Sequence, residues 1–220
     1  MPGYRVRFQS VPVAGGADLE IRSLLDRNQY SDPDGAADAA GISPASWPLF
    51  GLVWPSARKL ADLMQRLELG SRRILEVGCG LGLASLVLHR RRGDITASDC
   101  HPLAGSFLDA NLRLNGLGGM RYRDGHWKRR NPDLGEFDLF VGSDLLYERD
   151  HPRQLAGFLR RHAAPAAEVM LVDPDRGNRA QFTGHMRGIG FSLEETRLDA
   201  PLSNGDPYRG RLLHYRRAPA

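Results

Sequence analysis

Leu75-Glu76-Val77-Gly78-Cys79-Gly80-Leu81-Gly82-Leu83 is the stretch that decides the fold. An apolar run ends within it, three glycines follow at alternate positions, and the segment from 82 to 91 has the pattern of a helix. Strand, sharp turn and helix in that order let the backbone approach a ligand that side chains would block, as in a nucleotide-type site. A second short run, Ile95 to Ser98, ends at Asp99, about 20 positions beyond the glycines, where a βαβ unit places a carboxylate against a ribose. The glycine spacing differs from the dinucleotide fingerprint, whose last glycine would fall at Leu83. That mismatch argues against NAD.

Outward from this turn, strand and helix signals alternate. Strands are expected near 73–78, 95–99, 120–123, 137–143 and 168–173, and helices near 82–91, 102–115, 151–162 and 178–189. Pro55 to Leu67, with apolar Leu60, Leu63, Met64 and Leu67, reads as an amphipathic helix that packs on the sheet. The last two strand candidates, Leu193–Leu198 and Arg211–Arg216, are separated only by Pro201-Leu202-Ser203-Asn204-Gly205-Asp206-Pro207 and should pair as an antiparallel hairpin. The expected fold is therefore α/β: a doubly wound, mostly parallel seven-stranded sheet with a C-terminal antiparallel hairpin. Residues 1–50 lie outside it, with a strand-like alternation from Tyr4 to Val13, a segment Leu19–Leu25 and a polar turn at Asp32-Pro33-Asp34-Gly35. They are expected to be an extension covering the acceptor side of a domain formed by 51–220, with a flexible arm as the plainer alternative.

The 220 residues suit one such domain. No apolar run approaches a membrane span and Met1-Pro2-Gly3-Tyr4-Arg5 lacks the order of a secretory signal, so a cytoplasmic protein without membrane attachment is expected. Two cysteines, Cys79 and Cys100, give neither a disulfide framework nor a metal-ligand pattern; no metal is expected. The formal charge is +4, with 30 Lys and Arg against 26 Asp and Glu. Arg90-Arg91-Arg92, Lys128-Arg129-Arg130 and Arg216-Arg217 are short and scattered, which favours solvated faces over a nucleic-acid or acidic partner.

Glu76-x-Gly78-x-Gly80-x-Gly82 is followed by Phe137-Asp138-Leu139-Phe140-Val141-Gly142-Ser143-Asp144-Leu145-Leu146-Tyr147, an apolar strand leading into Asp-x-x-Tyr. With Gly51-Leu52-Val53-Trp54-Pro55 upstream and Trp127 between, the chain resembles the seven-strand S-adenosylmethionine-dependent methyltransferases, in the subgroup rich in protein-lysine methyltransferases. A branch that modifies the beta subunit of electron transfer flavoprotein is similar around these elements, but has Trp-Pro-Gly-Gly where this chain has Trp54-Pro55-Ser56-Ala57. The resemblance implies S-adenosylmethionine as cofactor, contacted by Trp54, Glu76, Gly78, Gly80, Gly82, Asp99, Trp127 and Ser143, with Asp144 and Tyr147 bordering the methyl-acceptor pocket. It implies a protein substrate presenting lysine, with a small amine or heteroaromatic nitrogen as the alternative acceptor, and a non-catalytic cofactor-binding module as a third reading.

Plainer roles stand beside these. Asp99 is also well placed to cap a helix starting near Pro102. Trp127 has the character of a packing residue, Trp54 that of an anchor for the extension. Asp144 and Tyr147 fit a turn cap and a packing residue. His101 and His126 read as surface hydrogen-bonding residues, and Asp173-Pro174-Asp175-Arg176 as either a substrate contact or a polar turn. A neutral lysine at pH 7 costs about 4 to 5 kcal/mol, which a methyltransferase must offset. A carboxylate at 144 acts in the opposite sense by favouring the ammonium, so its implied job is to place the amine and stabilise charge growing on nitrogen.

Overall fold

A computed structural model describes residues 3–218. The N-terminal fifty residues form β1 (Val6–Val11) and β2 (Leu19–Leu24), a short α1 (Ala36–Ala39) and a 3-10 turn over Trp47–Gly51. There follow α2 (Pro55–Arg66), β3 (Arg73–Val77), α3 (Leu83–Arg90), β4 (Asp94–Asp99), α4 (Ala104–Leu114) and β5 (Arg121–Asp124). The second half contains β6 (Phe137–Ser143), α5 (His151–His162), β7 (Ala163–Asp173), α6 (Arg179–Gly188), β8 (Ser192–Leu198) and β9 (Gly210–Arg217).

Seven strands form one sheet in the order β5-β4-β3-β6-β7-β9-β8. The first five run parallel; β9 is antiparallel to both β7 and β8, the terminal hairpin expected from the lack of a helical pattern between them. The chain leaves β3 outward through β4 and β5, then returns to the other side of β3 as β6. Strand order reverses there, and ligands of open α/β sheets sit beyond the carboxyl ends of such strands. The central strands are buried on both faces, which is why Ile74–Val77 and Phe137–Val141 read as apolar runs instead of alternations. β7 begins five residues earlier than the expected 168. Ala163-Ala164-Pro165-Ala166-Ala167 carries no strand pattern, and it is held by tertiary contacts: Ala163 pairs with Phe137, and the Arg217 guanidinium donates to the carbonyls of Ala163, Ala164 and Pro165.

The extension is ordered and packed. β1 and β2 pair antiparallel as a separate hairpin, so the chain's hydrophobic core runs unbroken past residue 50: Leu19, Ile21, Leu24 and Trp47 share one cluster with Leu83, Leu86 and Phe107. The outer edge of β2 meets α4 instead of a third strand, and asparagines on α4 take over the missing ladder. Asn111 accepts the Arg22 N–H at 2.7 Å and donates to Leu81 O at 3.2 Å, while Asn115 accepts the Glu20 N–H and donates to the Glu20 carbonyl. Asn111 is fully buried, so truncation leaves two backbone groups without partners. Asn111→Ala is expected to lower unfolding free energy by about 2 kcal/mol. Asn111→Asp, which keeps the acceptor, is expected to keep the Arg22 bond while leaving Leu81 O unserved; urea melts of both variants check this.

Candidate active site

Beyond the carboxyl ends of β3, β4 and β6 lies a cavity of about 450 Å³. Gly78, Cys79, Gly80 and Leu81 form its floor; Asp99, Cys100 and His101 one wall; His126, Trp127 and Lys128 a second; and Ser143, Asp144, Leu145, Tyr147, His151, Gln154 and Arg176 a third. Ala40 to Ile42, Ser46, Leu49 and Phe50 of the extension, with Trp54, complete the enclosure. Of the ten residues singled out in the sequence, Trp54, Gly78, Gly80, Asp99, Trp127, Ser143, Asp144 and Tyr147 line this one cavity, whereas Glu76 and Gly82 lie behind its lining.

Glu76 is turned away from the cavity by the start of α3. Its carboxylate accepts the Ser85 N–H at 2.8 Å and the Ser85 hydroxyl, so it serves a backbone donor of the helix's first turn from outside the helix. Gly82 stands just before that helix with φ 76°, and a Cβ there would meet Leu108 Cδ1 at 2.5 Å. Both residues shape the turn without reaching its ligand side. Burial pushes the Glu76 pKa up to about 7, against the Ser85 hydrogen bonds that pull it down. The folded protein therefore binds this proton more tightly than the unfolded chain, whose value is 4.5. The resulting stabilisation is fully present below 4.5 and is lost as pH rises through about 7, a change of about 3 kcal/mol across that window. Glu76→Gln is expected to flatten this slope in thermal melts taken from pH 4.5 to 8; an unchanged slope rules out Glu76 as its source.

Asp99 does not cap α4, which begins at Ala104 behind Leu103 with no side-chain cap; its carboxylate instead holds the backbone on either side of the cavity. One oxygen accepts the Gly80 N–H at 2.8 Å and pins the glycine turn; the other accepts the His101 N–H at 2.9 Å and turns the chain toward α4. Burial raises its pKa, and it still faces the cavity. His101 is no surface residue. It is 4% exposed, stacks on Phe50 with ring centroids 3.7 Å apart, and is pushed down to about 4 by burial, so it is neutral at pH 7. His126 joins the Trp127 loop to the extension through Nε2 and the Ala40 carbonyl, 3.1 Å apart. Trp54 donates its indole N–H to Leu49 O at 2.8 Å while lining the cavity, so anchoring and lining coincide.

On the third wall Asp144 adopts φ 53°, a left-handed conformation that Asp and Asn tolerate best, and its N–H is held by Val172 O at 2.9 Å. Its carboxylate is gripped by Arg176 through two bonds, Nε to Oδ1 at 2.8 Å and Nη2 to Oδ2 at 3.0 Å. This fork also raises the guanidinium's pKa. Arg176 follows Asp173-Pro174-Asp175, a turn in which Asp173 accepts the Arg176 N–H. His151 was not singled out in the sequence and lies in the same wall, its ring edge-on to Trp127 at 5.1 Å and to Tyr147 at 4.6 Å. Because Leu145 O only accepts, the 2.8 Å contact assigns the proton to His151 Nδ1 and leaves Nε2 bare. Burial lowers its pKa, which keeps the ring neutral. Nothing local in Asp150-His151-Pro152 announces this role; helix α5 delivers it.

A family described as lysine methyltransferase matches residues 50–186, more than half of the chain and every strand that borders the cavity. The chain belongs to this family. Among curated lysine methyltransferases, the electron transfer flavoprotein beta subunit lysine methyltransferase of Mus musculus is 27% identical over 189 residues, covering 84% of this chain and 70% of the relative. The EEF1A lysine methyltransferase 3 of Mus musculus is 28% identical over 180 residues, covering 76% of this chain and 74% of the relative. Across four such relatives the chain spans between 51% and 74% of their length. In fold, the chain is similar to magnesium protoporphyrin IX methyltransferase from Synechocystis PCC 6803 solved with bound SAM, with a TM-score of 0.58 at 14% identity over 74% of this chain and 79% of that one. The protein is thus an S-adenosylmethionine-dependent methyltransferase. Its residues suit that cofactor: the cavity falls within the roughly 300 to 1,000 Å³ of small-molecule sites, and a buried carboxylate at the end of β4 lines it together with the Trp127 indole.

Proposed function

We propose that this methyltransferase modifies the side-chain amine of a lysine in a protein substrate, with the cofactor held by the glycine turn, Asp99, Trp54, Trp127 and Ser143, and the acceptor held at Asp144 and Tyr147. The supporting observation is the joining of Gly78–Leu81 and Asp99 with Ser143–Tyr147 in one cavity, although these groups are separated by tens of residues in the chain. When bound, S-adenosylmethionine supplies a methyl group already activated by its sulfonium.

No covalent nucleophile is then required of the protein; its work is alignment, exclusion of water and management of one proton. Tyr147, with the His151 ring set edge-on to it at 4.6 Å, gives the acceptor side an aromatic wall suited to an alkylammonium stem. Asp144 orients the amine. The Arg176 fork cancels much of the carboxylate's charge, so Asp144 hydrogen-bonds the acceptor without holding it in the ammonium form. The neutral His151 offers a bare Nε2 within the same wall.

The reading is tested by incubating the protein with isotope-labelled S-adenosylmethionine and either a cell lysate or a panel of small amines, then locating label by mass spectrometry. Label is expected on lysine of a small number of proteins. Label confined to small amines sinks the proposal, and calorimetry with S-adenosylhomocysteine reports separately on the cofactor half of the cavity.

A further inference from the structure

Lys128-Arg129-Arg130 is short in the sequence, but the fold does not leave it isolated. The loop 125–131 lies along α5, and Arg161 fastens the two together: its Nη2 donates to Trp127 O at 2.7 Å and Arg129 O at 3.0 Å, its Nη1 to Gly157 O at 2.9 Å. His151 packs on Trp127 at the near end of the helix, and His162 contacts Gly135 O at the far end. Residues 125–131 and 151–162 together contain Lys128, Arg129, Arg130, Arg153, Arg160 and Arg161 and not one Asp or Glu. All six are exposed. Six positive charges on one face exceed the net +4 of the whole chain, so the remainder is on balance acidic.

Ion pairing does not account for the cluster. Among the described residues, Arg129 pairs with Asp124 and the other five cations have no carboxylate within salt-bridge distance. Asp150, just before α5, is engaged by Gln154. The helix dipole favours Arg160 and Arg161 in the last turn of α5, but it does nothing for Arg153 in the first turn or for the loop. The surface that results is continuous with the cavity, because Lys128, His151 and Gln154 line its mouth.

We infer that this face docks an acidic segment of the protein substrate beside the lysine to be methylated. The inference rests on the protein-lysine reading above and narrows it to a substrate class. An acidic stretch crossing α5 and the loop meets unpaired cations along its length, while the neighbouring lysine reaches the third wall of the cavity. Complementarity of this kind speeds encounter and selects partners more than it adds affinity.

Two measurements test it with peptides that present one lysine flanked by Glu and Asp, by Gln and Asn, or by Arg. In the first, methyl transfer is compared between the unaltered protein and the triple variant Arg130→Gln/Arg153→Gln/Arg160→Gln, none of which touches the cavity. The acidic-flanked peptide is expected to have the highest kcat/KM, to lose about tenfold in the variant, and to lose most of that preference at high salt. The neutral peptide is expected to change less than about twofold. In the second, peptide binding is followed by fluorescence anisotropy in the presence of S-adenosylhomocysteine, which keeps the result independent of turnover. Charge-dependent binding without methylation of any peptide retains the docking face and counts against the lysine reading. Equal binding of all three peptides overturns the docking face, whatever the activity. Preferential, variant-sensitive binding of a short DNA duplex or RNA hairpin over the acidic peptide also overturns it, in favour of a nucleic-acid partner.

Discussion

Replacing Asp144 with asparagine is expected to slow methyl transfer by at least about 100-fold while leaving affinity for S-adenosylhomocysteine within about threefold. The asymmetry follows from where the residue sits. Its backbone is fixed in a left-handed conformation by the bond to Val172, and asparagine is the residue that best keeps that conformation while removing the charge. The glycine turn and Asp99 lie on other walls of the cavity and do not depend on it. Asp144→Ala adds a backbone penalty of roughly 1 kcal/mol, so the alanine variant should melt lower than the asparagine variant while both are inactive. An Asp144→Asn protein that retains full turnover removes the carboxylate from the mechanism and leaves it a turn residue.

Arg176 sharpens that prediction because it separates two jobs of the carboxylate. An unpaired Asp144 would raise the pKa of a bound lysine and oppose loss of its proton; the guanidinium acts in the reverse direction. Arg176→Ala is therefore expected to move the acid limb of the kcat profile to higher pH, since the acceptor then needs a more alkaline medium to become neutral. Cofactor binding should not follow that shift. A purely structural role for the ion pair would lower stability and leave the pH profile in place.

The parts of this arrangement that were legible in the chain are those written in local chemistry. Apolar runs ended by glycine or Asp located β3, β4 and β6 to within a residue or two, and the lack of any helical pattern between 198 and 210 gave the antiparallel ending. Proximity in the folded chain was not legible. Glu76 sits one strand position from the turn, yet its side chain faces α3, because a strand sends successive side chains to opposite faces. Arg176 and Asp144 are 32 residues apart and meet only because β6 and β7 are neighbours. Lys128-Arg129-Arg130 reads in the chain as one short cluster among several, and only the fold, through Arg161, joins it to the arginines of α5. The extension, which resembled a possible arm, is fixed by asparagine side chains of α4 that no backbone pattern signals.

Gly80→Ala is the other change with a large expected effect, and its reasoning is steric. Gly80 has φ 52°, where an L-residue with a Cβ pays about 1 to 2 kcal/mol. That Cβ would stand 2.7 Å from the Phe50 carbonyl oxygen, a backbone atom of the 3-10 turn that cannot rotate away. Phe50 in turn is stacked on His101 and set edge-on to Phe107 and Trp47, so displacing it disturbs the buried aromatic cluster that seats the extension. The Gly80 N–H is also the group that Asp99 holds, and a shift of the turn loosens this bond and with it the floor of the cavity. A loss of about 3 to 4 kcal/mol of stability is expected, the sum of backbone strain and overpacking. S-adenosylhomocysteine affinity should fall by at least about 100-fold, in line with the displacement of a preorganised backbone cradle. The contrast with Gly70 provides the control: it too has positive φ, 56°, but nothing lies within 4 Å of its would-be Cβ. Gly70→Ala should show the backbone penalty alone and unchanged cofactor binding, so equal behaviour of the two variants would show that contact with Phe50 has no part in forming the site.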